Sequence, residues 1–493
     1  MWGGGGGGGW VVTVAVVVVA MGGVAGGVGG WVSDGGGGGG VQVMTWLVVA
    51  GRLADCKCAF EAIFNFGDSN SDTGGFWAAF PAQSGPYGMT YFKKPAGRAT
   101  DGRLMIDFLD GFEYFNLTEL RFESFYGVSA SNGRLVDCKC AFEAIFNFGD
   151  SNSDTGGFWA AFPSQSGPYG MTYFKKPAGR ATDGRLMIDF LAQALGLPFL
   201  SPYLQSIGSD YRHGANFATS ASTVLLPQSS LFVSGLSPFA LPIQLNQMKH
   251  FKVKVDEPQS NGSNNLPQPD IFEKSIFTFY IGQNDFTSDL GSLGMSGSKI
   301  MLSQVVSQIA ATIKELYGLG GRTFLVLNLA PVGCYPLFLA GLPHNSSDLD
   351  AFGCVISYNN AVVDYNNMLK EALNQTRQAI PDASLIYVDT HAILLELFQH
   401  PTSHGLKYGP RACCGYGDGD YNFDPKVYCG NTKVINGSTL IATACSDPYN
   451  YVSWDGIHAT EAANKLVTYA ILNGSYFDPP FPLHQLCDLK PID

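Results

Sequence analysis

Four short strings in this chain carry the residue types that acyl transfer through a serine requires. They are Gly149-Asp150-Ser151-Asn152-Ser153-Asp154-Thr155, Gly214-Ala215-Asn216-Phe217-Ala218, Gly282-Gln283-Asn284-Asp285 and Trp454-Asp455-Gly456-Ile457-His458. The chemistry needs a nucleophile, a base for its proton, a carboxylate to orient that base, and N–H donors for the oxyanion. Ser151 reads as the nucleophile and His458 as the base. Asp455 lies three residues earlier, near enough on one tight turn to meet the imidazole. The Ser151 and Gly214 backbone N–H groups and the Asn284 side chain read as the oxyanion donors. Each string alone has a plainer explanation: a Gly-Asp-Ser turn, a close-approach glycine, an Asx-turn asparagine, a turn entering a helix. Four in order, each beside a strand-like or helix-like run, point to chemistry.

The elements that must position these residues alternate along the chain. Ala144–Phe148, Ser275–Ile281, Thr323–Leu327 and Ser384–Val388 are apolar runs of strand length. Between them lie helical patterns: one begun at Arg185, one over 304–317 with Val305, Ile309, Ile313 and Leu316 on one face, and one from about Val355 to Ile380, stopped by Pro381. A final helix starts at Thr460. Strands separated by helices imply α/β architecture: a central parallel sheet with helices on both faces and its chemistry at the carboxyl ends of the strands. Ser151 and Asn284 both follow strands. Arg180, Asp183 and Arg185 read as residues that cap and flank the first helix, and His213 is the one other histidine adjacent to a motif. Residues 401–453, with four cysteines and little periodicity, read as a disulfide-pinned excursion over the active face; with 225–265 they are expected to line the pocket.

The first string occurs twice. Residues Gly51–Leu109 return as Gly133–Leu191 with two differences, Ala54 against Val136 and Ala82 against Ser164. Solenoid repeats diverge and need about three units to bury a core, so a recent tandem duplication or a misjoined gene explains the pair better. After Leu109 the chain runs into Asp110-Gly111, which interrupts the helix. After Leu191 the helix continues and leads to the other motifs. Ser151 is therefore the chosen nucleophile and Ser69 its duplicate. The expected organisation is a glycine-rich apolar leader over 1–50, a partial copy over 51–132, and the catalytic domain over 133–493.

The 493 residues carry a net charge of −12 without a basic cluster, which argues against nucleic acid or an anionic membrane surface as partner. The first 33 residues hold no charged side chain, and Val11–Ala20 has the length of a signal-peptide core, although Met44 is an alternative start. Six Asn-x-Ser/Thr sequons, at Asn116, Asn261, Asn345, Asn374, Asn436 and Asn473, and eleven cysteines agree with secretion. No spacing suggests a metal, so disulfides are expected and no cofactor. No stable membrane insertion is expected once the leader is removed.

Phe146-Asn147-Phe148-Gly149-Asp150-Ser151-Asn152-Ser153-Asp154-Thr155-Gly156-Gly157, Gly214–Ala218, Ile281-Gly282-Gln283-Asn284-Asp285 and Asp455-Gly456-Ile457-His458-Ala459-Thr460 resemble the blocks of the plant GDSL esterase/lipases, within the SGNH hydrolase superfamily. The resemblance covers roughly residues 138–490. It implies a three-layer α/β/α flavodoxin-like fold, a secreted glycoprotein and a metal-free carboxylic-ester hydrolase; a monomer is expected. It also implies that Ser151, Gly214, Asn284 and His458 are the name-giving residues, with Asp455 completing the triad. The leader and the first copy fall outside it. An acyltransferase would use the same residues, and a catalytically dead glycan- or lipid-binding protein is the reading from another class. Acyl length and alcohol are not legible in the sequence.

Overall fold

The computed structural model describes residues 140–492 apart from 229–234, 258–264, 289 and 418, with the backbone alone over 290–300, and residues 72, 75, 83, 86–87, 89–90 and 92–101. The leader, Ser69, Cys56, Cys58, Cys138, Asn116 and Asn261 lie outside the described residues. Two compact units divide the chain, Met1–Gly127 and Val128–Asp493. In the first, the described residues form a turn-rich segment. There the Gln83 side chain donates to the Arg98 carbonyl (2.8 Å) and accepts from the Gly97 amide (2.8 Å).

The second unit is built on one six-stranded sheet. Its strands are β1 (Ala144–Gly149), β2 (Gly214–Asn216), β3 (Ser275–Tyr280), β4 (Thr323–Leu327), β5 (Ser384–Val388) and β6 (Phe477–Asp478). The spatial order is β6-β5-β4-β3-β1-β2; the first five strands are parallel and β6 is antiparallel to β5. This is the 2-1-3-4-5 order of flavodoxin-like sheets. Strands covered on both faces are mostly apolar, with few polar residues, which is why these runs stood out in the sequence. The two edge strands were missed there, because three and two residues carry no pattern.

The helices divide between the two faces. Those used below are α1 (Gly157–Ala161), α2 (Met187–Ala194), α3 (Leu241–Asp256), α4 (Gln283–Ser288), α5 (Leu290–Gly318), α6 (Ile356–Ala379), α7 (Thr390–Gln399) and α8 (Glu461–Leu472), with two short helices at Pro336–Gly341 and Leu483–Leu486 besides. α3 and α6 pack on α5, while α2 and α7 pack on α8. Along β1 the side chains alternate between these layers. Phe146 meets Phe251 of α3 (ring centroids 5.7 Å) and Phe272 (5.4 Å). On the other face Asn147 borders a cavity of about 40 Å³ together with Met187 and Leu191 of α2 and Ile471 of α8. α5 begins well before the expected residue 304; Gly291, Gly294 and Gly297 lower helix propensity and hid its first turns.

Polar residues inside the sheet layer hold the loops at its carboxyl edge. Thr278 donates to Asn147 (2.7 Å), Asn147 donates to Asn216 (2.8 Å), and both asparagines donate to the Ser153 carbonyl (3.2 and 2.7 Å). Gln244 of α3 bonds both the N–H and the C=O of Gly149 (2.9 and 2.8 Å). Asp154, fully buried, accepts from the amides of Gly156 (2.8 Å), Gly157 (2.6 Å) and Ser220 (2.8 Å) and from the Ser220 hydroxyl (2.9 Å). It thereby joins the turn after β1 to the turn after β2.

The expected caps of the first helix act differently. α2 starts at Met187, with Asp189 accepting from the Leu186 amide (3.0 Å). Arg180 pairs with Asp189 (2.7 Å), Arg185 with Glu461 (2.8 Å), and Asp183 accepts from the Glu461 amide (2.7 Å). The contacts of Arg185 and Asp183 fasten the α2 entry to the start of α8, while Arg180 ties the loop before α2 to that helix. Four disulfides, Cys140–Cys487, Cys334–Cys354, Cys413–Cys445 and Cys414–Cys429, use all the described cysteines. Among the described residues no helix is long and apolar enough to cross a membrane.

An Asp154→Asn change places an N–H₂ among donors and leaves buried amides unpaired. It should destabilise the second unit by about 2–4 kcal/mol in urea unfolding; an unchanged midpoint would refute the role given to Asp154.

Candidate active site

The turn after β1 lifts Ser151 to the carboxyl edge of the sheet, and the loop before α8 brings His458 to it. His458 Nε2 lies 2.8 Å from Ser151 Oγ, although 307 residues separate them. His458 Nδ1 lies 2.8 Å from Asp455 Oδ2. Since a carboxylate only accepts, Nδ1 carries the proton and the Nε2 lone pair faces the serine hydroxyl. The other Asp455 oxygen accepts from the backbone amides of Ile457 (3.0 Å) and His458 (2.9 Å). That turn requires Gly456, which has φ 96° and whose Cα faces the Phe423 ring with no room for a methyl.

Tyr169 was not anticipated. Its hydroxyl donates to Asp455 Oδ2 (3.0 Å), and its ring packs on Trp454 (centroids 6.0 Å). Nothing in the spacing of the Gly-Pro-Tyr-Gly turn signals this contact, which spans 286 residues. The segment 401–453 supports the same place. Its strand Tyr408–Ala412 pairs with Tyr451–Ser453, and Cys413, Cys414 and Cys429 cluster around buried Trp454. It braces the strand that presents Asp455.

The electrostatics follow from burial and close partners. Burial pushes the Asp455 carboxyl up, but the charge and hydrogen bond of His458 and the two turn amides outweigh it, leaving the group below its ordinary value. Burial lowers His458, yet the charge and hydrogen bond of Asp455, with the charge of Asp150, hold it above 6.5. Asp150 is raised to about 6 by burial, against the hydrogen bonds it receives from Asn152. Asp285 is raised to about 7, again by burial, while it accepts from the amides of Val224 (2.7 Å) and Leu225 (3.0 Å).

Asn284, at the start of α4 and just past β3, stands beside this group. Its Nδ2 donates to the Ser222 carbonyl (2.9 Å) and lies 3.4 Å from Asp150 Oδ2. Gly214 does not join it. Gly214 pairs with Ile145 near the start of β1, its amide donates to the Tyr211 carbonyl (3.0 Å), and at φ 100° its Cα abuts the Ile145 carbonyl. The expectation of an oxyanion donor there is corrected: Gly214 is a close-approach glycine of the sheet edge. The chain reaches the catalytic edge several residues later, at Ala221–Ser222. His213 also stays away, with its ring at the Glu143 carbonyl (2.9 Å).

Among the described residues no cluster of three or more His, Cys, Asp or Glu side chains could hold a metal. The arrangement is a hydroxyl, an oriented imidazole and a buried carboxylate in series, next to a side-chain amide.

Known proteins share this chain's sequence over the same span. The family described as GDSL-like Lipase/Acylhydrolase matches residues 145–471. A GDSL esterase/lipase of Arabidopsis thaliana is 67% identical over 358 residues, covering 72% of this chain and 94% of that protein. A protein of the same plant named Alpha-L-fucosidase 3 is 42% identical, covering 68% and 91%, and an esterase of Hevea brasiliensis is 41% identical, covering 71% and 90%. Among solved structures, an acetylxylan esterase of Geobacillus stearothermophilus aligns over 67% of this chain and 93% of its own at 14% identity, with a TM-score of 0.29.

A Gly214→Ala protein should lose folded yield and melting temperature, because the methyl meets the Ile145 carbonyl and the left-handed backbone is strained. The correctly folded fraction should keep its kcat. A well-folded variant with kcat down about 100-fold would restore Gly214 as an oxyanion donor.

Proposed function

The chain belongs to the GDSL-like lipase/acylhydrolase family of carboxylic-ester hydrolases, and we propose that it works through Ser151, His458 and Asp455 by an acyl-enzyme route. The observation that carries this reading is the unbroken series from Ser151 Oγ to Asp455 Oδ2, with two 2.8 Å contacts. Ser151 Oγ attacks the ester carbonyl while its proton passes to His458 Nε2. Asp455 stabilises the imidazolium, which then protonates the leaving alcohol. A water, deprotonated by His458, releases the acid and frees Ser151.

In this reading the oxyanion is met by the amides of Ser151 and Ala221 and by Asn284 Nδ2. Neither amide has an acceptor among the described residues, and Asn284 is bonded to Ser222, the neighbour of Ala221. Ala221 holds φ 62°, a left-handed conformation that costs a non-glycine residue about 1 kcal/mol or more. Such strain, kept beside a nucleophile, agrees with an amide aimed for function.

The proposed organisation is a leader over 1–50, an incomplete copy over 51–132 and the hydrolase domain over 133–493. Secretion to the extracellular space or cell wall is supported by four disulfides and by the exposure of every described sequon asparagine: Asn345, Asn374, Asn436 and Asn473. The substrate is an ester of a lipid, a glycan or a small alcohol. Competition between water and an alcohol acceptor separates hydrolysis from acyl transfer.

With p-nitrophenyl acetate, Ser151→Ala should lower kcat by about 10⁴-fold or more and abolish fluorophosphonate labelling, while Ser69→Ala leaves both unchanged. The reverse pattern would move the nucleophile to the first copy.

The acid limb of kcat/KM should have its midpoint above pH 6.5, because His458 must be neutral to act and its folded pKa is raised. The same shift stabilises the fold below pH 6.5, and that contribution is lost as pH rises through the folded pKa, so activity and this share of stability run in opposite directions. Tyr169→Phe removes a donor from Asp455, strengthens its pull on the imidazole and should move the limb further toward alkaline pH. A limb below 6.5 would contradict the assignment.

A further inference from the structure

A second concavity lies on the described surface, away from the triad. It is an open groove of about 490 Å³, against about 10 Å³ for the space beside His458 and about 40 Å³ for the cavity under α2. That size suits a ligand of several rings. Trp159 of α1, Phe174 and Phe199 supply aromatic walls, and Gln165, Gln205 and Ser201 supply polar ones.

The chemistry of the lining selects a ligand class. Among the described residues no carboxylate or lysine lines the groove. The one charged residue among the described ones, Arg180, is buried and held in two bonds by Asp189 (3.1 and 2.7 Å), with its guanidinium over the Phe174 ring (4.6 Å). The groove therefore presents no unpaired charge to a phosphate, a carboxylate or an amine. An acyl chain would fit it poorly, since it would strip water from amides and hydroxyls without replacing their hydrogen bonds.

Several of those polar groups have capacity left. Gln165 uses one N–H on the Arg180 carbonyl (2.9 Å) and its oxygen on the Gly179 amide (2.8 Å), leaving a second N–H. The Gln205 side chain is exposed and has no partner among the described residues. Ser201 Oγ accepts from the Asp210 amide (3.2 Å) and keeps its own hydrogen. Trp159 Nε1 is covered and makes no hydrogen bond with the described residues. A hydroxyl entering beside the ring would supply one after a small rotation of the indole. Apolar ring faces flanked by neutral donors and acceptors match a pyranose, whose C–H face is apolar and whose rim is hydroxyls.

We propose that this groove binds the sugar rings of a neutral oligosaccharide, and that the ester on such a saccharide reaches Ser151. The second clause rests on the ester-hydrolase mechanism proposed above. Thr155, on the groove wall, lies four residues after Ser151, so the chain between their Cα atoms spans at most about 14 Å. That is two or three sugar units. The groove would hold the backbone of the saccharide while its ester carbonyl meets Ser151 Oγ.

The test is calorimetric titration of the full chain with three unsubstituted neutral tetrasaccharides, xylotetraose, cellotetraose and mannotetraose, alongside p-nitrophenyl acetate kinetics. At least one should bind saturably. Trp159→Ala should weaken that binding roughly tenfold. Gln205→Ala, at an exposed position, should weaken it roughly threefold and keeps the test valid if Trp159→Ala does not fold. Both variants should retain kcat/KM for p-nitrophenyl acetate, which is too small to use the groove. Absence of saturable binding to all three, or binding unchanged in Gln205→Ala and in a folded Trp159→Ala, would overturn the proposal. Failure of the unaltered protein to cleave p-nitrophenyl acetate would instead sink the hydrolase mechanism and leave the binding result standing.

Discussion

The proximity of Ser151 to His458 depends on a buried ion pair that touches neither. Arg185 donates to the carboxylate of Glu461, the first residue of α8, from its backbone amide (2.8 Å), Nε (3.2 Å) and Nη2 (2.8 Å). Asp183 receives the Glu461 amide, and Thr182 donates to the carbonyl of Ala459 (2.8 Å), the residue after His458. Charges out of water are costly, and breaking such a pair by removing one partner typically costs about 3–5 kcal/mol. The worth of this pair is geometric: with every acceptor matched, α8 has one way to dock on α2, and His458 arrives where the serine stands.

The rest of the site is organised by the same device at smaller scale. Loops at the carboxyl edge of a parallel sheet have no strand partners, so their amides need others. Asp154, Gln244, Asp285 and the Asn147–Asn216 pair provide them, each buried and each bonded to backbone one or two turns away. A low-dielectric setting strengthens these bonds and makes any unpaired member expensive. The turns that hold Ser151, Ala221 and Asn284 are therefore rigid through polar networks, with the aromatic core of Phe146, Phe148, Phe217 and Phe279 beneath them. The disulfide-bonded segment adds a third support, pressing Phe423 on Gly456 and enclosing Trp454.

Much of this was legible in the chain. β1, β3, β4 and β5 were visible because burial on both faces demands apolar runs. Ser151 and Asn284 were visible because each sits on a turn after such a run, and Asp455 and His458 because they share the short turn that enters α8. Gly214 misled, since a glycine can serve a tight backbone approach as well as an open amide, and its string gives no register. The structure puts Gly214 opposite Ile145, several residues short of the catalytic edge. Tyr169 was invisible because its function is a contact across the whole domain. Arg185 and Asp183 looked like local caps, and their partner proved to be Glu461.

The duplicated segment separates the two kinds of information within one molecule. Gln83 repeats the bonds of Gln165, Thr90 bonds Asp101 (2.6 Å) as Thr172 bonds Asp183 (2.5 Å), and Arg98 covers Phe92 at the same 4.6 Å as Arg180 covers Phe174. Equal sequence yields equal local structure, because these bonds close over at most 15 residues. Beyond that reach the copies part. Tyr87 is 45% exposed, whereas its equivalent Tyr169 orients Asp455. Exposed Asp101, held by Thr90, has its carboxyl lowered, while Asp183, stripped of water in the core, has its carboxyl raised despite the matching threonine. The sequence by itself determined turns, strands and which residues could react. Tertiary structure alone decided which of them are buried together, because desolvation and long-range pairing depend on what the rest of the chain lays over them.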